Sequence, residues 1–148
     1  MDNKQSMSFE YFKIEVFIPE THFRPLQRVL QEVGAGHIGQ YDSCLSYSRV
    51  TGTWRPLKGA DPYIGSLNQI SEEPELKVEV TVQKKLLEKT LEAVREVHPY
   101  EEAVINVIEE SMSHNYQGIV WDWPKKSKPS SAGSLENSYA MMEAWAND

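Results

Sequence analysis

Twice along this chain a stretch with a two-residue hydrophobic period gives way to a 3.6-residue period and then returns to two. In YFKIEVFI (11–18), Phe12, Ile14, Val16 and Ile18 alternate with Lys13, Glu15 and Phe17, which predicts a strand with one buried face. Residues 22–33 then place Phe23, Leu26, Val29, Leu30 and Val33 on one helical stripe. Thr21 is the expected N-cap of this helix, Pro25 fits its first turn, and Gly34 stands where its C-terminal glycine belongs. YDSCLSYSRV (41–50) alternates again, Thr51-Gly52 reads as a turn, and a long Gly/Pro-punctuated loop leads to LKVEVTV (76–82), the clearest strand in the chain. An amphipathic helix over 85–97, ended by His98-Pro99, and a last strand at AVINVI (103–108) complete the series. The order β-α-β-β-α-β over residues 10–110 predicts an α+β, ferredoxin-like split-βαβ fold, with an antiparallel sheet and both helices on one face. Such a sheet buries one face by itself; the other is either solvated or covered by a partner, and the aromatics Phe17, Tyr41 and Tyr47 point to covering.

Beyond residue 110 the pattern stops, so 111–148 reads as a C-terminal extension. GIVWDW (118–123) predicts a short strand, 124–133 a linker by its Pro, Ser and Lys content, and SLENSYAMMEAWA (134–146) a short helix that docks on its own domain or a neighbouring subunit. The formal net charge of −7 argues against nucleic-acid or anionic-membrane partners, which need clustered Lys and Arg. No apolar run approaches the roughly 18 residues of a membrane span. Cys44 is the single cysteine, which rules out an intrachain disulfide and suits a reducing compartment. With the polar start MDNKQSMS, the expected location is cytoplasmic.

Several motifs invite a chemical reading. Gly34-Ala35-Gly36-His37-Ile38-Gly39 matches the dinucleotide-binding string G-x-G-x-x-G. That function requires a strand before the glycines and a helix after them, and here the order is reversed, so the string reads as a helix exit. His98-Pro99-Tyr100-Glu101-Glu102 brings an imidazole and two carboxylates together. It is either a helix stop with a packed tyrosine or, with His37, part of a divalent-metal site completed across subunits. Cys44 as a nucleophile would need His37 or His98 beside it, and a small strand residue is the simpler reading. Tyr41 and Asp42 either brace the glycine loop or line a cleft. In Thr53-Trp54-Arg55-Pro56, Arg55 suits a carboxylate or phosphate with Trp54 as a stacking face, while the preferred reading is an intersubunit aromatic anchor with an Arg salt bridge.

Four segments taken together show a resemblance. They are Gly34-x-Gly36-x-Ile38-Gly39-x-Tyr41-Asp42-x-Cys44, Gly52-Thr53-Trp54-Arg55-Pro56, Asp61-Pro62-Tyr63-Ile64-Gly65 and His98-Pro99-Tyr100-Glu101-Glu102. In this order they resemble the PII-like domain inserted in YqfO-type proteins, a dinuclear-metal family sometimes named GTP cyclohydrolase, and its free-standing relatives. The HPYE turn is similar to that of CutA proteins. The resemblance covers about residues 10–110. It implies a PII/CutA-like fold, a homotrimer, and ligand sites at intersubunit clefts, where Tyr41, Asp42, Cys44, Trp54, Arg55 and Tyr100 would meet a small molecule. Any metal would fall to His37, His98, Glu101 and Glu102. The chain departs from the family in carrying Ala103 where a proline is usual and in having only four histidines, so cyclohydrolase activity does not transfer. The expected function is a non-enzymatic, regulatory oligomer that binds a small molecule or a divalent metal ion. The alternatives are a metal-dependent hydrolase using His98 and Glu101, or a protein-interaction module.

Overall fold

The alternation at 76–82 extends outward on both sides, and the sheet is built around it. In the computed structural model, which describes residues 9–111, the elements follow the order β1 (Tyr11–Ile18), α1 (Phe23–Val33), β2 (Leu45–Trp54), β3 (Ser71–Gln83), α2 (Leu87–Val97) and β4 (Ile105–Glu110). A single 3-10 turn precedes each helix, at Glu20–His22 and Lys84–Leu86. The strands form one sheet in the order β2-β3-β1-β4, and every neighbouring pair is antiparallel. This is the ferredoxin-like α+β arrangement. The expected strand at 118–123, linker at 124–133 and helix at 134–146 lie outside the described residues.

Register decides which side chains meet. Ile14 pairs with Val80, Val16 with Val78 and Ile18 with Leu76, so the even-numbered positions of both central strands point the same way. Leu26 and Leu30 of α1 and Val94 of α2 close over them in one core cluster, which puts both helices on that face. Ile14, Val16, Ile18, Leu26, Val78 and Val94 are all fully buried, and burial of each such side chain is worth about 1.5–3 kcal/mol.

The odd-numbered positions carry charge. Glu15 lies directly across from Glu79, a like-charged pair that Lys13 and Lys77 offset from either side. Lys13 Nζ stands 2.6 Å from Glu79 and 3.8 Å from Glu15, while Lys77 Nζ stands 3.2 Å from Glu15 and 3.9 Å from Glu79. The expected aromatic cover is not on this face. Of the three aromatics, only Phe17 lies there. Tyr47 packs on Phe23 on the helical side, with ring centroids 4.6 Å apart, and Tyr41 sits in the loop before β2.

Several expected boundaries move. Thr21 does not cap α1: its Oγ1 meets His22 Nδ1 at 2.8 Å, and the 3-10 turn delays the helix to Phe23. β2 begins at Leu45 instead of 41, because Ile38 and Tyr41 exchange backbone hydrogen bonds at 2.8 and 3.0 Å in a tight corner. It then runs straight through the expected turn at Thr51-Gly52 to Trp54. β4 starts at Ile105 instead of 103.

The glycine string is the corner between α1 and β2. Gly34 ends the helix in the left-handed conformation, with φ 87°. Gly36, with φ 73°, donates its N–H to Thr81 O at 2.8 Å and accepts from Cys44 N–H at 2.9 Å. A Cβ at Gly36 would stand 2.5 Å from the Cys44 carbonyl oxygen, so only glycine fits.

Two outcomes are expected. Gly36→Ala adds left-handed strain to a backbone collision and lowers unfolding free energy by about 2–4 kcal/mol in urea titration. The hydrogen bond from Lys77 holds the Glu15 carboxyl below its ordinary value of 4.5, so this group stabilises the fold above that pH and loses its contribution as pH falls through the lowered value. In an NMR titration, Lys77→Gln moves the Glu15 midpoint upward.

Candidate functional site

The end of β2, the loop that follows it, and the turn after α2 converge at one end of the charged sheet face. His98 organises the turn. It leaves α2 in an extended conformation, φ −73° and ψ 126°, as a residue before proline must. Its Nε2–H donates to the Phe17 carbonyl at 2.6 Å, and its Nδ1 accepts the Tyr100 backbone N–H at 3.2 Å. Those partners assign the Nε2–H tautomer. His98 is 7% exposed, and burial pushes its pKa below the ordinary 6.5.

The tie to Phe17 sets Tyr100 within an aromatic group. Its ring centroid lies 5.0 Å from His98, 5.5 Å from Trp54 and 6.1 Å from Tyr63. Trp54 is fixed in turn by its indole N–H, which donates to Ile64 O at 3.1 Å. The loop over 55–70 folds on itself through Asn68 N–H to Pro56 O at 2.7 Å. It is joined to the turn by the Asp61 N–H, which donates to Glu101 Oε2 at 2.9 Å.

These elements enclose a pocket of about 560 Å³, within the usual range for small-molecule sites. Phe17, Trp54, Pro56, Tyr63, Tyr100 and Val104 supply apolar wall, and Arg55, Glu101 and Glu102 lie around it. Glu75 also lines the pocket and is 7% exposed. It fits because its partner strand carries Gly52, whose missing side chain leaves the space that the Glu75 carboxylate fills. Tyr100 Oη is closed off and has no hydrogen-bond partner within reach among the described residues. Burial first, and then the neighbouring Glu75 carboxylate, raises the Tyr100 phenol well above its ordinary value of 10.0, so Tyr100 stays a neutral O–H.

The residues singled out from sequence fall into two sets. Trp54, Arg55, Tyr100, Glu101 and Glu102 share this pocket, and His98 braces it. Tyr41, Asp42, Cys44 and His37 lie beyond the opposite end of β2, whose ten residues span about 30 Å. There Tyr41 is 75% exposed, Asp42 accepts from Gln31 Nε2–H at 3.3 Å and Ser43 Oγ–H at 3.1 Å, and Cys44 Sγ–H points to Asp42 O at 3.6 Å. His37 Nε2 bonds Gly39 O at 3.0 Å, so neither His37 nor His98 serves Cys44 as a base. Among the described residues no three His, Cys, Asp or Glu side chains converge as a metal site would need. Sequence reasoning missed Glu75, Gly52, Phe17 and Tyr63 as pocket residues. Tyr63 stood within the Asp61–Gly65 segment of the resemblance, and Glu75 continues the odd-numbered charged positions of β3 backward.

No family model matches the chain. It is 40% identical over 91 residues to the GTP cyclohydrolase 1 type 2 homolog of Halalkalibacterium halodurans, covering 62% of this chain and 24% of that protein. A crystal structure of a Bacillus cereus protein related to NIF3 superposes with a TM-score of 0.62 at 33% identity, over 70% of this chain and 26% of that one. CutA from Synechococcus elongatus PCC7942 matches with a TM-score of 0.51 at 17% identity, over 70% and 79% of the two chains. The chain therefore spans about a quarter of the length of these larger relatives and about four fifths of CutA. Its described core has the ferredoxin-like fold of CutA. Its sequence is similar to one segment of the larger YqfO- and NIF3-related proteins. No helix among the described residues is long and apolar enough to cross a membrane.

The His98 tie predicts a distinct pH response. The unfolded imidazole binds a proton near 6.5 and the folded one only at lower pH, so stability falls as pH drops below about 6.5. His98→Ala removes that slope and, by leaving the Phe17 carbonyl unpaired above a cavity, lowers unfolding free energy by about 2–4 kcal/mol at pH 7.5. Denaturant unfolding across pH 5–8 measures both.

Proposed function

We propose that this chain acts as a non-enzymatic, regulatory PII/CutA-like homotrimer, with the Trp54–Tyr100 pocket receiving a small molecule at an intersubunit cleft. The observation that carries this reading is a preformed pocket walled by aromatic rings, each oriented by its own bond or contact. Trp54 is held by Ile64 O, Tyr100 by the His98 turn, and the loop by Glu101. Rings fixed before a ligand arrives bind it at lower entropic cost. A metal-dependent hydrolase through His98 and Glu101 has less support, because both side chains are already engaged in backbone hydrogen bonds.

Two measurements test this. Light scattering of the 17.0 kDa chain gives three times that mass, and a monomer contradicts the cleft. A fragment screen followed by amide and indole NMR shifts gives its largest changes at Trp54, Tyr63 and Tyr100. Changes confined to the Cys44 end, or none, contradict the pocket.

A further inference from the structure

Glu75 is out of keeping with an apolar pocket. A carboxylate removed from water needs a counter-charge or a full set of donors. Among the described residues no Lys, Arg or His lies within ion-pair distance of Glu75; the ion pairs among them join Lys13 and Lys77 to Glu15 and Glu79, and Arg49 to Glu20. Beside it lies the neutral hydroxyl of Tyr100, near enough for the carboxylate to raise that phenol's pKa. A carboxylate more than nine-tenths buried thus lines an apolar pocket with no counter-charge beside it among the described residues.

Building on the reading of this pocket as a small-molecule site, we propose that it takes a small organic cation, an alkylammonium or guanidinium group. The cationic head donates N–H bonds to the Glu75 carboxylate and the Tyr100 oxygen, and its alkyl part lies against Trp54, Tyr63 and Phe17. Each side of the pocket fits that occupant. The aromatic faces attract a cation once water is excluded, and the carboxylate supplies the charge. Glu101 and Glu102 at the rim add negative potential, against the single exposed cation Arg55. An anionic ligand would meet three carboxylates. A bare metal ion would find one buried carboxylate and aromatic rings, too few oxygen or nitrogen ligands for its coordination shell.

The bare backbone at Gly52, over which the Glu75 side chain lies, gives the charge its depth. Any side chain at 52 would collide with the carboxylate and drive it out of the pocket wall.

The test uses the full 148-residue chain and three matched probes: n-butylguanidinium, neutral n-butanol and anionic butyrate, followed by NMR shifts and calorimetry. The cation is expected to bind about tenfold or more tightly than either isostere, with shifts at Trp54 and Tyr100. Glu75→Gln, nearly isosteric, is expected to erase that preference and to raise the melting temperature by relieving an unpaired buried charge. Glu75→Asp keeps the preference and guards against a folding defect in the first variant. If the neutral or anionic probe binds the pocket as well as the cation, the cation assignment is overturned while the small-molecule reading stands. If no fragment of any charge shifts Trp54 or Tyr100, both fail together.

Discussion

A hydrogen bond from His98 Nε2–H to the carbonyl of Phe17 ties the end of α2 to the first strand, ahead of the Phe17 N–H to Val104 O bond and the β1–β4 ladder. Much of the site depends on it. Pro99 forces the chain out of α2 in an extended conformation, and without an anchor the next residues would have no fixed direction. Because the imidazole is buried and neutral, it can donate at one nitrogen and accept the Tyr100 N–H at the other. The turn is thereby pinned, Tyr100 is set against Trp54 and Tyr63, and Glu101 can accept from the 55–70 loop. The same burial that lowers the His98 pKa keeps both bonds in place at neutral pH.

The two ends of the sheet's charged face handle carboxylates in opposite ways. In its middle, Glu15 and Glu79 share Lys13 and Lys77, and the four charges offset one another at a partly wet surface. At the β2 end, Glu75 continues the same row of positions but has no such lysine, and Gly52 and the aromatic rings shield it from solvent. The face is thus a structural charge network in its middle and the wall of an aromatic pocket at its end.

The fold was legible wherever local period and packing agree. Ile14, Val16 and Ile18 alternate because they are buried on one side. Leu26 and Leu30 share a helical stripe for the same reason, and Gly34 and His98-Pro99 mark helix ends by backbone chemistry alone. β2 was not legible in that way. Tyr41 to Cys44 alternate as a strand would, yet the requirement that Gly36 fit between Thr81 and Cys44 bends them into a corner. Trp54, Arg55, Tyr100 and the two glutamates were visible as chemistry-bearing residues. That they meet each other, and not Cys44, depends on strand register. Glu75 was hidden for the same reason: it pairs with Val50, and only because its side chain reaches over the bare Gly52 further along β2 does a surface-type residue become a buried wall.

If the His98 turn holds open a ligand pocket at a cleft between subunits, a crystal structure of the assembled oligomer will contain three copies around a common axis, with the Glu75–Trp54–Tyr100 pocket opening to a cleft and able to admit a small molecule. A pocket filled by a side chain of the neighbouring subunit, or sealed within a flat interface, would contradict it.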